Sequence, residues 1–156
     1  MLYKFCAALT AVCTLFITIS GACFAGEVDA TSIYLARCEG VYLYGGQAAQ
    51  INNNEGLAKN ILLRASRTSV ALFMLNDDNG NVAASKLSVF SHLHSEMKSK
   101  LDNRSLDLLD ALNECDIRAL PVVVDVEQTR EKLWGLSFQE LQNQVFQKYL
   151  STLGIN

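Results

Sequence analysis

The sequence has no surplus of positive charge. Its 156 residues include 13 lysines and arginines against 16 aspartates and glutamates, for a formal net charge of -3, and these charges are spread along the chain. A protein that binds nucleic acid or an anionic membrane surface usually carries a basic stripe or a polybasic segment. The sequence therefore predicts no nucleic-acid partner.

Beyond residue 27 the sequence also lacks any apolar run long enough to cross a membrane. The one long apolar stretch is Phe5–Ile19, which follows Lys4 and precedes small residues at the -3 and -1 positions of a cut after Ala25. These are the three parts of a secretory signal peptide. We therefore expect a signal peptide over residues 1–25, cleaved before Gly26, and a single domain over 26–156 without a transmembrane segment.

Two alternatives apply to this amino terminus. The longer stretch Phe5–Ala25 is just long enough for an uncleaved membrane anchor. Cys23 could also carry a lipid, although Ser20 stands where such signals usually have an aliphatic residue. With cleavage favoured, the expected location is exported: periplasmic in a bacterium, otherwise secreted.

Cysteine is scarce once the signal peptide is set aside. Of five cysteines, three lie within residues 1–25, which leaves Cys38 and Cys115. In an oxidising compartment this pair is expected to form a disulfide. The alternative is two free buried thiols. There is no C-x-x-C motif, so redox and haem chemistry are not indicated.

Proline is scarcer still, with Pro121 as its only instance, and the apolar residues recur at helical spacing. Helices are predicted at residues 31–50, 55–75 and 82–120, the last either continuous or broken at 102–105. Pro121 is expected to end that pattern, and 121–126 is the one strand-like run, either a strand or an extended connector. Capping-box spacing predicts a short helix at about 126–134 (Asp125 with Gln128) and a last helix at 138–153 (Ser137 with Glu140).

Together these segments predict an all-α fold, a small bundle of four to five helices. Cys38 lies on the apolar stripe of the first helical segment and Cys115 on that of the third. The disulfide is therefore expected to join two core-facing helix surfaces.

Histidine is limited to His92 and His94, which form an H-x-H-x-E string with Glu96. Residues two apart on a helix point in roughly opposite directions, so the two imidazoles cannot share one metal ion. We expect His92 to be exposed and His94 to be a partly buried core residue. They are only weak candidates for a metal site, and no metal or other cofactor is predicted.

The usual catalytic motifs are missing as well. There is no G-x-S-x-G elbow and no glycine-rich phosphate loop, so the sequence favours a protein that is not an enzyme. The most unusual string is residues 37–44, where Arg37, Tyr42 and Tyr44 form a candidate interaction surface, since tyrosine is enriched at protein interfaces. The favoured alternative is that one tyrosine packs in the core with its hydroxyl at the rim. Gly40 in the same string would permit close approach of a neighbouring helix.

These observations favour an exported, non-enzymatic binding or interaction protein whose partner is expected to be another protein. Periplasmic immunity proteins and small periplasmic chaperones have comparable designs, which is an analogy of architecture only. Two alternatives remain: a small exported enzyme or metal-binding protein that uses His92 and His94, and a structural subunit of an envelope or secretion assembly.

Overall fold

The computed structural model describes residues 28–77, 82–130 and 132–155. The predicted signal peptide and its cleavage site, including Cys23, Ala25 and Gly26, lie outside these residues. The described part of the chain forms five helices and no strand: α1 (Ala30–Ile51), α2 (Glu55–Asn76), α3 (Ala84–Asp102), α4 (Leu108–Thr129) and α5 (Phe138–Thr152). The prediction of an all-α fold of four to five helices is confirmed.

Short polar side chains set where the helices begin. The carboxylate of Asp29 accepts a hydrogen bond from the backbone N–H of Ser32 at 2.9 Å, which caps α1, and Asn54 and Asp107 cap α2 and α4 in the same manner. The capping box predicted for Ser137 and Glu140 is present at the start of α5. Such caps satisfy backbone donors that have no partner within the helix.

The prediction that Pro121 ends a helix is wrong, and so is the strand-like interpretation of 121–126. Pro121 lies inside α4, which continues for eight further residues to Thr129. A proline in a helix interior costs about 3 kcal/mol relative to alanine because it removes one hydrogen bond and crowds the preceding turn. Beyond it, Val123 and Val126 are 1% and 2% exposed in the core, and their burial offsets that cost.

The short helix predicted at 126–134 is also absent. Asp125 lies within α4 instead of capping a new helix, and the chain then turns through Trp134 and Gly135, which both have positive φ. The backbones of Leu133 and Leu136 exchange two hydrogen bonds of 2.9 Å across this turn. The side chain of Leu133 is buried, so the turn closes against the core.

Of the two alternatives for residues 82–120, one continuous helix or a break at 102–105, the structure shows the break. Helix α3 ends at Asp102, Arg104 adopts a positive φ, and α4 begins at Leu108. The long helical pattern in the sequence therefore corresponds to two helices.

Helix α1 lies at the centre of the bundle. It packs against α2, α3 and α4, while α5 packs mainly against α2. This position explains why α1 is buried on most of its circumference, including its three glycines, Gly40, Gly45 and Gly46. None of the described helices combines the length and apolar character that a membrane span requires.

The disulfide between Cys38 and Cys115 is present and joins α1 to α4, with 5.5 Å between the two Cα atoms. Both cysteines are almost completely buried. As predicted, the bond connects two core-facing helix surfaces. Cys115 lies in α4, the second of the two helices that correspond to the predicted segment 82–120.

Candidate functional site

A carboxylate in the core is the first feature of the site. Leu35, Glu39 and Leu43 are spaced four residues apart, so they share one face of α1, and the side chain of Glu39 is only 6% exposed. An ionised side chain is rarely buried unless partners compensate for the lost hydration. The surroundings of Glu39 must therefore supply those partners.

Tyr149 of α5 supplies the first partner. Its hydroxyl donates a hydrogen bond of 2.6 Å to Oε1 of Glu39. Burial, followed by the negative charge of Glu39, raises the pKa of Tyr149 well above its ordinary value, so the phenol stays protonated and remains a donor. The contact also ties α5 to α1 across the surface of α2.

His94 of α3 lies on the other side of the same carboxylate. Its Nε2 is 3.2 Å from Oε2 of Glu39 and is buried, although the imidazole as a whole is 28% exposed. The direction of approach does not satisfy a hydrogen bond, so the contact is one of proximity and charge. Glu39 thus lies between a tyrosine and a histidine from two different helices.

Gly40 makes this arrangement sterically possible, as the sequence suggested. A Cβ atom at this position would lie 3.1 Å from the Cα of His94, closer than most such contacts in proteins. Residue 40 therefore has no side chain that would displace the backbone of His94, and this favours the close approach of α3 to α1.

A cleft opens directly beside these residues, and we call it the α3–α5 cleft. It has a volume of about 300 Å³ and is bounded by α1, α3 and α5, with Leu62 of α2 at its inner end. The lining residues are Gly40, Leu43, Tyr44, Gln47, Leu62, His94, Ser95, Lys98, Tyr149, Thr152 and Leu153. Most of the exposed lining is apolar, and the volume is at the lower end of the range for small-molecule sites.

The side chains that can carry a positive charge in the cleft have no negatively charged counterpart among the lining residues. These side chains are Lys98 and, when protonated, His94, whereas no aspartate or glutamate is among the lining residues. Lys98 is paired with Asp102 at 2.5 Å, one turn further along α3, and lies 6.0 Å from the ring centroid of Tyr44. The pairing lowers the pKa of Asp102 and raises that of Lys98.

The three residues proposed as an interaction surface point in different directions. Tyr44 lines the α3–α5 cleft. Tyr42 packs in the core, 2% exposed, and donates a hydrogen bond of 2.9 Å to Asp116 of α4. Arg37 is exposed and lies 3.8 Å from Glu96.

The H-x-H-x-E residues do not converge either. His92 is exposed, His94 faces Glu39, and Glu96 pairs with Lys100 at 2.5 Å. Lys100, ahead of Arg37, holds the pKa of Glu96 below its ordinary value. Among the residues that the structure describes, no three histidine, cysteine or acidic side chains are placed to share a metal ion.

A second polar cluster joins three helices on the opposite side of α1. Asp116 of α4 accepts the hydrogen bond of Tyr42 and also pairs with Arg64 of α2. Burial, together with Asp116, raises the pKa of Tyr42 above its ordinary value. Nearby, Arg67 of α2 pairs with Glu127 of α4 at 2.7 Å. Because each charge has a partner within the chain, we regard this cluster as structural.

A larger groove, about 690 Å³, runs alongside the disulfide. Its three cations, Arg37, Lys100 and Arg118, pair with Glu96 or Glu114. Its exposed lining is also more polar than that of the α3–α5 cleft. The α3–α5 cleft is therefore the better candidate for a binding site.

Sequence reasoning missed Glu39 and Tyr149. For Glu39 a signal was available, since a carboxylate that interrupts the apolar series Leu35, Leu43 and Gly46 on one helix face indicates a buried charge. For Tyr149 there was none, because its contact with Glu39 spans 110 residues of sequence.

Comparison of this chain with protein-family models, with curated proteins and with solved structures gives no match.

Proposed function

We propose that this chain is an exported, non-enzymatic binding protein and that the α3–α5 cleft is its binding site. The observation that carries the proposal is the combination of an apolar cleft with a buried, partnered carboxylate directly behind its wall. Binding sites are typically concave, mostly apolar and supplied with a few fixed polar groups.

The polar groups in and behind the wall support binding rather than catalysis. Tyr149 is hydrogen-bonded to Glu39 and His94 lies against it, so α5 and α3 contact the same carboxylate on either side of the cleft. The lining contains Ser95 and Thr152, but their hydroxyls bond to the backbone oxygens of Ser91 and Lys148. Neither hydroxyl is thus placed as a nucleophile activated by His94.

The cleft can be tested with N-phenyl-1-naphthylamine, an uncharged apolar probe whose fluorescence rises in apolar surroundings. We expect the purified protein to bind it and the variant Gln47→Phe to bind it much more weakly. Gln47 is exposed and lines the cleft, so a larger ring there fills the space without disturbing the core.

Gln144→Phe is the matched control, because Gln144 is exposed on α5 and is not among the cleft residues. This variant should bind the probe as the wild-type protein does. If both variants bound equally, or if the wild-type protein did not bind the probe at all, the cleft would not be the binding site.

The sequence predicts a protein partner, and the exposed apolar side chains of α4 favour this second candidate function. Helix α4 exposes Leu109, Ile117 and Leu120, which are 75%, 64% and 43% accessible. Exposed apolar side chains grouped on one surface are typical of interaction sites. A photo-crosslinking residue at position 117 would test this second candidate: it should label one partner protein, and the labelling should not change in the Gln47→Phe variant.

Export is tested separately, by expressing the full chain in a bacterial host and determining the amino terminus of the product. A product that begins at Gly26 supports export with cleavage, and a product that retains residues 1–25 contradicts it.

A further inference from the structure

We propose that the natural ligand of the α3–α5 cleft is a small monoanionic amphiphile, a molecule with an apolar body and a single carboxylate or similar anionic group. This inference depends on the proposed function and names the class of ligand that the site would take. It derives from how charge and apolar surface are distributed along the cleft.

The inner end of the cleft is apolar. Leu62 and Gly40 are buried there, and Leu43 and Leu153 line the space between them and the mouth. A ligand's apolar body would be removed from water at this end, which supplies most of the affinity at such sites.

The cationic side chains of the lining are placed differently. Lys98 is exposed at the mouth, while His94 lies deeper, beside Gly40. No acidic residue lines the cleft, so an anionic group at the mouth would meet Lys98, whose partner Asp102 is outside the lining. A cationic head group at the same place would have no carboxylate among the lining residues to pair with.

The charges around Lys98 from neighbouring elements set the size of this preference. On α3 itself Asp102 pairs with Lys98 at 2.5 Å and competes with a ligand anion. On α1 the nearby ionisable group is Tyr44, an uncharged phenol with a raised pKa. The buried Glu39 lies 3.2 Å from His94 and does not line the cleft. Because Lys98 is largely exposed, the preference for an anion is expected to be modest, about threefold in dissociation constant.

The experiment compares two probes that differ only by one anionic group: 8-anilinonaphthalene-1-sulfonate and uncharged N-phenyl-1-naphthylamine. At low ionic strength we expect the wild-type protein to bind the sulfonate about threefold more tightly than the neutral probe. High salt should remove the difference, since salt screens exposed charges.

Two substitutions should move the ratio of the two dissociation constants in opposite directions. Lys98→Met should abolish the preference for the sulfonate, and Asp102→Asn, which releases Lys98, should increase it. Neither should change binding of the neutral probe by more than about twofold. Lys148→Met, which removes a positive charge from α5 outside the lining, is the control and should leave the ratio unchanged.

The outcomes separate this inference from the proposed function. If the neutral probe binds, is excluded by Gln47→Phe and is preferred to the sulfonate, the cleft is a binding site but the ligand is not an anion. If Lys98→Met leaves the preference intact, Lys98 does not recognise the anionic group and the inference is wrong. Failure of both probes to bind the folded wild-type protein overturns both proposals.

Discussion

At the scale of single residues, the molecule is organised around Glu39. Its carboxylate connects α1 to α5 through Tyr149 and lies against His94 of α3. Burial of the carboxylate removes its hydration, which costs free energy, and the hydrogen bond from Tyr149 compensates for part of that cost. The same three side chains hold the helices that bound the α3–α5 cleft, so stability and the shape of the site depend on the same contacts.

Replacing Tyr149 with phenylalanine removes one hydrogen bond to this buried carboxylate. We expect the free energy of unfolding to fall by about 1.5–3 kcal/mol, the range for hydrogen bonds to charged groups. Urea denaturation measures the change. Tyr34→Phe is the control, because the hydroxyl of Tyr34 bonds at 3.2 Å to an exposed backbone oxygen. Equal effects from the two substitutions would contradict the importance of Glu39.

Gly40→Ala tests the close approach of α3 to α1. Alanine improves helix propensity by up to about 1 kcal/mol, but its Cβ would lie 3.1 Å from the backbone of His94, which must then move. Gly56→Ala gains propensity with no atom within 4 Å of the new Cβ. We expect Gly56→Ala to stabilise the protein and Gly40→Ala to destabilise it in thermal or urea unfolding. A gain in both would show that α3 is not held against α1 at this point.

At the scale of helices, the sequence predicted the features that interactions between neighbouring residues determine, such as where a capped helix begins. The starts of α2 and α5 agree with the prediction because Asn54 and Ser137 cap them within four residues of sequence. Pro121 misled the prediction because the cost of a helical proline is local, whereas the burial of Val123 and Val126 that offsets it depends on helices distant in sequence. The cleft could not be predicted for the same reason, since its walls come from α1, α3 and α5, which are distant from one another in sequence.

The capping box of α5 makes stability depend on pH. Hydrogen bonds from the backbone and then the side chain of Ser137 lower the pKa of Glu140 in the folded protein. Its contribution to stability is therefore present above the unfolded pKa, about 4.3, and is lost as the pH falls through the lower folded value.

Glu140→Gln should consequently destabilise the protein more at pH 6 than at pH 3, as measured by urea unfolding at both. Asp125→Asn, which removes an exposed charge within α4, is the comparison and should show no such difference. If the loss caused by Glu140→Gln were the same at both pH values, the carboxylate would have no role in the cap.

At the scale of the whole molecule, the disulfide joins positions 77 residues apart. Closing a loop of this length in the unfolded chain stabilises the native state by about 4 kcal/mol in the chain-entropy model. The bond therefore represents a large share of the stability of a domain of this size, about 5–15 kcal/mol.

The double variant Cys38→Ala, Cys115→Ala should lose about 4 kcal/mol or more in urea unfolding. Reductant should lower the stability of the wild-type protein toward that of the variant and leave the variant unchanged. Wild-type stability that did not respond to reductant, or a free thiol detected by non-reducing mass spectrometry, would contradict the bond.

Binding of an apolar ligand in the α3–α5 cleft is tested most directly by nuclear magnetic resonance of the backbone amides. In a titration with N-phenyl-1-naphthylamine, we expect the largest changes in chemical shift at the cleft residues Gly40, Tyr44, Gln47, Ser95, Lys98 and Thr152. Shifts concentrated instead on the outer surface of α4, at Leu109 and Ile117, or no shifts at all, would contradict it.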